Sequence, residues 1–248
     1  MKFSLTGLAI ATIIFSFPIL KAEATSPTTQ SFEQCCQQKD SLPTETKKTV
    51  EVLLKEAGTQ DCKLADLKLN SLTELNLSEN QISDIRLLTG FTNLIKLNLS
   101  YNQISNIQPL TNLTNLTRVN LSWNQIRHIQ SFANLTNLTE LNLSSNHIRD
   151  LKPLTGLTNL ISLQLYVNQI KDLKPLAGLT NLTILNLSSN QISDVKPLAD
   201  LTNLRELSLD SNQLINVEPL MSLINLTELD LSYNRITEKV CPVKFCKF

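Results

Sequence analysis

The sequence predicts an α/β solenoid: a right-handed coil bent into a horseshoe-like arc, with a concave parallel β-sheet, convex 3₁₀ or turn segments and an N-terminal helical cap. Three observations predict it. Asparagines recur at Asn80, Asn102, Asn124, Asn146, Asn168, Asn190, Asn212 and Asn234, every step being 22 residues. An alternating Leu-x-Leu precedes each of them, the pattern of a short strand with one apolar face. Twenty-two residues per unit are too few for a strand, a return helix of usual length and two loops, so the return runs through turns or a single 3₁₀ turn.

Taken in order, the chain opens with Lys2, an apolar run from Phe3 to Leu20, and Lys21-Ala22-Glu23-Ala24. A basic start, apolar middle and small-x-small end read as a secretory signal peptide over residues 1–24. An uncleaved membrane anchor is the rival, and Pro18 with the Ala-x-Ala end favours cleavage. No later segment is apolar enough to span a bilayer, so no membrane span is expected after cleavage. Residues 25–71 then read as an N-terminal cap. Within it, Pro43–Ala57 fits an amphipathic helix capped by Ser41, stopped by Gly58, with Thr46, Val50, Leu53, Leu54 and Ala57 on one face. The stretch "CKLADLKLN" (Cys62–Asn70) reads as an irregular first turn that lacks the closing Asn.

Residues 72–236 hold eight units of the template L-x-x-L-x-L-x-x-N-x-I-x-x-I-x-P-L-x-x-L-x-N. Leucines and isoleucines of one unit cannot be buried alone; stacking covers them. The recurring Asn sits where the chain leaves the strand, and its side chain can satisfy turn amides that burial would otherwise orphan. Leu87 and Ser131 stand where other units have proline, so local changes are expected on the convex side there. Residues 237–248 form a C-terminal cap around "CPVKFC".

The five cysteines, Cys35, Cys36, Cys62, Cys241 and Cys246, flank the repeats and avoid them. After export they read as disulfides: Cys241 with Cys246, and Cys62 with either Cys36 or Cys35. Metal binding is the weaker reading, since no histidine lies near either cluster.

At this point the chain resembles the leucine-rich repeat proteins, of the short 22-residue type found in internalins and similar bacterial exported proteins. The resemblance rests on the spacing, the Asn column and the wording "NQISDIxPLxxLTNL". The flanks "LPTETKKTVEVLLKEAGTQDC" and "CPVKFC" are similar to those of exported cyanobacterial repeat proteins. The family implies a curved solenoid whose concave sheet holds another macromolecule.

On that sheet, identical positions form columns of neighbouring side chains about 4.8 Å apart. Asn76, Asn98, Asn120, Asn142, Gln164, Asn186, Ser208 and Asp230 make a polar column read as a mutual amide ladder. Lys96 stands beside Glu74, and Arg118 beside Glu140. Glu206, Asp210, Glu228 and Asp230 gather negative charge that could attract a cation. Just before the Asn run Glu79, Tyr101, Trp123, Ser145, Val167, Ser189, Ser211 and Tyr233, and Tyr166 replaces the serine found in most units. Aromatics on a polar face are favoured anchors, so Tyr101, Trp123, Tyr166, Val167, Tyr233, Lys96 and Arg118 are the expected partner-binding residues.

The balance of 22 basic against 22 acidic residues argues against nucleic acid. Removing Lys2, Lys21 and Glu23 leaves 20 basic and 21 acidic groups. His128 and His147 have no nucleophile or second base beside them, and no phosphate-cradling loop is present. The reading is therefore a secreted, periplasmic or envelope scaffold, monomeric, without cofactor or metal and not an enzyme, binding another protein. A glycan- or cell-wall-binding structural protein is the alternative.

Overall fold

The computed structural model describes residues 31–238, 241 and 246–248. The signal segment expected over residues 1–24 lies outside the described residues. Nine strands form one parallel sheet in strict chain order: β1 Glu74–Asn76, β2 Lys96–Asn98, β3 Arg118–Asn120, β4 Glu140–Asn142, β5 Ser162–Gln164, β6 Ile184–Asn186, β7 Glu206–Ser208, β8 Glu228–Asp230 and β9 Cys246–Lys247. From β1 to β8, each residue pairs with the one 22 positions on, as Leu75 with Leu97. Constant unit length fixes this register, and each strand buries its middle residue between two more exposed ones.

Between β1 and β8 the chain returns through single 3₁₀ turns. Asp84, Asn106, Asp150, Asp172, Asp194 and Asn216 lead into them, each accepting the backbone N–H two residues on at 2.8–3.0 Å. Such local bonds fix turn entry. His128 takes this slot in the third unit. The two turns without proline, Arg86–Gly90 and Gln130–Asn134, have five residues, against three in most others. Glu218–Ser222 keeps Pro219 and is equally long, so proline does not by itself set the turn's length.

The core is a continuous aliphatic column, with Leu97, Leu99, Leu141 and Leu143 at most 2% exposed. Inside it runs the asparagine file. Asn124 is typical: its Oδ1 accepts the Ile104 N–H at 2.9 Å, and its Nδ2 donates to Leu99 O at 2.9 Å and Leu121 O at 3.1 Å. One amide thus ties two successive rungs and leaves no orphaned turn group. At the first rung the Asn80 side chain lacks this reach back and bonds only Ser78 O, while its backbone N–H donates to Asn102 Oδ1.

The ends differ from the sequence reading in three places. A short helix α1, Phe32–Gln37, begins at a capping box in which Ser31 and Gln34 bond each other's backbone N–H. The amphipathic helix α2 spans Thr44–Ala57 and starts at Pro43, not under a Ser41 cap; Ser41 donates instead to Gln38 O, closing the preceding turn. Gly58, at φ +64°, ends α2, with Thr59 N–H reaching Leu54 O. Third, Cys62–Ser71 is a helix, α3, and not an irregular turn. Asp61 Oδ1 caps it at Leu64 N–H, and Ala65 and Leu69, four apart, face the core.

Cys36 is bonded to Cys62 and Cys241 to Cys246; Cys35 is in neither bridge and is buried. The first bridge staples α1 to α3. α2 is docked on the first unit by Asp84, which accepts from Thr46 Oγ1 at 2.6 Å and pairs with Arg86 at 2.8 Å, while Thr49 Oγ1 donates to Asp84 O. Among the described residues no helix is long and apolar enough to cross a membrane.

Candidate functional site

The concave sheet carries an open groove of about 590 Å³ over β1 to β5, lined also by Glu56 of α2. Lys96 Nζ lies 2.6 Å from Glu74 and Arg118 Nε 3.0 Å from Glu140. These pairs are half exposed and hold each other upright more than they stabilise the fold.

The amide column behaves differently from a mutual ladder. Asn98 Oδ1 accepts the N–H and Oγ–H of Ser100, and Asn120 does the same with Ser122. Asn76, Asn142 and Asn186 each accept the N–H two residues on. An Asx turn within one's own rung is closer than the neighbouring amide and satisfies a strand-end N–H. The side-chain oxygens of these five asparagines are thereby turned toward their own backbone, and their amide N–H groups are what they offer the groove.

Where the strands end, a second file begins. Glu79, Tyr101, Trp123, Ser145, Val167, Ser189, Ser211 and Tyr233 all have φ between +53° and +60°. That region is costly for residues with a Cβ, above all a β-branched one such as Val167. Backbone bonds continue across it, Tyr101 N–H to Ser122 O, Trp123 N–H to Ser144 O and Ser145 N–H to Tyr166 O, at 2.8–2.9 Å. Equal dihedrals on bonded rungs aim the side chains the same way, like teeth of a comb. Tyr101 and Trp123 are stacked, ring centroids 5.4 Å apart and planes within 8°, and both are about half exposed. Lys96 and Arg118 lie in the groove on the same two rungs, Val167 and Tyr233 further along the comb, and Tyr166, partly buried, just before Val167.

Ser144 Oγ and Ser145 Oγ are the buried side-chain polar atoms without a partner among the described residues. Both sit on the rung next to Tyr166-Val167, the one that departs from the Ser-rich pattern. At the acidic end, burial pushes the Asp230 carboxyl up, but the Ser232 hydroxyl and N–H, with Lys247 Nζ at 3.6 Å, hold it below the ordinary range. Among the described residues no three His, Cys, Asp or Glu gather closely enough to hold a metal ion.

A second asparagine file, whose role the sequence reading missed, lines the strand-entry rim. Asn93, Asn115, Asn137, Asn159, Asn181, Asn203 and Asn225 each donate to a carbonyl 23 residues earlier at 2.8–2.9 Å. Its signal is the last Asn of the 22-residue template.

The family profile of leucine-rich repeats matches residues 70–112, 92–135, 114–156, 158–200 and 202–240. The chain is a leucine-rich repeat protein of the bacterial, internalin-like type. Among solved structures, this leucine-rich repeat protein is similar to an internalin (inlF) from Listeria monocytogenes, at 37% identity and a TM-score of 0.73, over 77% of this chain and 57% of that one. It is also similar to internalin C2 of the same organism, at 36% identity and a TM-score of 0.73, over 78% of this chain and 86% of that one. A leucine-rich repeat protein of Leptospira interrogans matches at 33% identity and a TM-score of 0.66, over 70% of this chain and 46% of that one. A plant peptide hormone receptor, RGFR1, in complex with RGF2, matches at 27% identity and a TM-score of 0.54, over 60% of this chain and 26% of that one. No curated protein sequence matches the chain.

Proposed function

We propose that this leucine-rich repeat protein is an exported, non-enzymatic scaffold that holds another protein on the concave side of its arc. The observation that carries the reading is that the groove and the exposed Tyr101–Trp123 stack share the same two rungs. Lys96, Asn98 and Tyr101 come from one unit, Arg118, Asn120 and Trp123 from the next. Charged and amide groups beside rigid aromatic anchors are the make-up of a protein-binding patch. Two disulfides and the apolar leader favour a destination outside the cytoplasm. That RGFR1, a receptor of similar fold, is in complex with RGF2 supports a binding role.

The test is capture by the immobilised mature chain, Thr25 onward, with bound proteins identified by mass spectrometry. Trp123→Ala and Arg118→Ala should each weaken capture of the same protein by about tenfold or more, while Lys171→Ala, outside the groove, leaves it unchanged. Equal capture by all three variants defeats the reading. Retention on purified cell wall that the Trp123 and Tyr101 changes abolish would instead assign the face to glycan.

A further inference from the structure

We infer that the gap in the comb above Ser145 is a slot for one aromatic side chain of the partner, which enters as the third ring of the Tyr101–Trp123 stack. The inference takes from the proposed function only that the partner is a protein.

Three observations carry it. The Tyr101 and Trp123 centroids are 5.4 Å apart, close to the strand spacing of about 4.8 Å, so the stack runs along the file of rungs. Trp123 therefore turns its second face toward the next rung, that of Ser145. There the tooth is short: serine is the smallest side chain of the four, Tyr101, Trp123, Ser145 and Val167, and its Oγ is covered. One rung further, Val167 projects again and is about half exposed. All four residues share φ between +53° and +57°, so their side chains leave the backbone in parallel.

Trp123 and Val167 thus face each other across two rungs, roughly 9.6 Å of backbone spacing. A ring at a stacking distance of about 5 Å from the indole sits midway, in contact with Val167 on its other face. The next gap along the file, over Ser189 and Ser211, is three rungs wide between Val167 and Tyr233 and clasps nothing flat on both faces.

Chemistry selects among flat ligands. A guanidinium would seek a carboxylate, but Glu140, on the Ser145 rung, is already 3.0 Å from Arg118. A sugar ring needs several hydrogen bonds, and the floor offers only the covered hydroxyls of Ser144 and Ser145. A neutral aromatic ring needs neither.

Trp123 is the chain's single tryptophan, so its indole N–H gives one assignable NMR signal. The full mature chain would be titrated with N-acetylphenylalaninamide and, separately, N-acetylleucinamide, to about 20 mM because single-ring affinities are weak. The aromatic probe should shift the indole signal about threefold more than the aliphatic one. Ser145→Leu, which fills the slot, should abolish that difference, and Ser211→Leu, in the same file, should keep it. Leucine is accommodated because tryptophan and valine adopt the same backbone conformation on neighbouring rungs. Val167→Ser, which opens the slot without filling it, should weaken the difference. Equal shifts with both probes, or a difference that survives Ser145→Leu, overturn the slot whatever the capture experiment gives.

Discussion

Asn146 Oδ1 accepts the backbone N–H of Ile126, twenty residues earlier and 2.9 Å away, while its Nδ2 donates to Leu121 O and Leu143 O. A single side chain therefore closes hydrogen bonds in two rungs at once, in a place where water does not reach.

Removing it should be severe. Asn146→Ala leaves the buried Ile126 N–H without an acceptor, at about 1–3 kcal/mol for a group left unmade, and takes one of two side-chain donors from Leu121 O and Leu143 O, which keep Asn124 and Asn168. A loss of roughly 1–3 kcal/mol is expected in urea unfolding. Asn80→Ala, at the first rung, where the side chain bonds only within its own turn, should cost about 1 kcal/mol or less.

Two serines in one column should respond with opposite sign. Ser122 Oγ donates to Asn120 Oδ1 at 2.8 Å, so Ser122→Ala should destabilise by about 1 kcal/mol. Ser144 Oγ is buried without a partner; Ser144→Ala removes a desolvated hydroxyl and should raise stability by about 0.5–1 kcal/mol. Thermal melts of the two variants give the comparison directly.

His128 occupies the slot where six other units place Asp or Asn ahead of the 3₁₀ turn. His128→Asp supplies an acceptor for the Gln130 N–H and should stabilise by roughly 0.5–1 kcal/mol. Asp172→His, the reverse exchange at a capped turn, should destabilise by a similar amount.

The α2 junction should be acid-sensitive. Burial pushes the Asp84 carboxyl up, but hydrogen bonds from Arg86 and Thr46 more than offset this and hold it below the ordinary range. A lowered folded pKa contributes stability that is complete above the unfolded value of about 3.9 and is lost as pH falls through the folded one. At neutral pH, Asp84→Asn should cost about 1–2 kcal/mol, the low end for a charged hydrogen bond because Arg86 is partly exposed. That gap should shrink as pH falls below about 4, the unfolded value, toward the lower folded one; a gap independent of pH would contradict the pairing.

Which parts of the molecule were legible follows from where the pattern repeats. The 22-residue step determines the register from Glu74 to Asp230, because a slip of one residue would turn Leu97 and its counterparts to water. α1 and α3 occur once and carry no period; Cys62–Ser71 sits directly before the repeats and was read in their light, although Asp61 and the Ala65–Leu69 spacing carried the helix signal. The vicinal cysteines offered two partners for Cys62, and only the facing of α1 toward α3 selects Cys36. Tyr101 and Trp123 are neighbours by counting, but their parallel contact depends on a left-handed turn that no propensity assigns to tyrosine, tryptophan or valine. The amide column had the right residues and the wrong partners, since a strand neighbour and a turn N–H compete for one oxygen and only coordinates decide between them.

The reach of each buried asparagine into the rung before it makes length a whole-number property of this molecule. Excising residues 147–168 would bring Gln169 directly after Asn146 and put Leu143 where Leu165 had stood, so that Asn190 would meet an equivalent carbonyl and the severed ladder would rejoin. Shortening by any fraction of a turn offers no such repair. Arcs of different span are thus reachable by adding or dropping complete rungs, with the two stapled ends carried along unchanged.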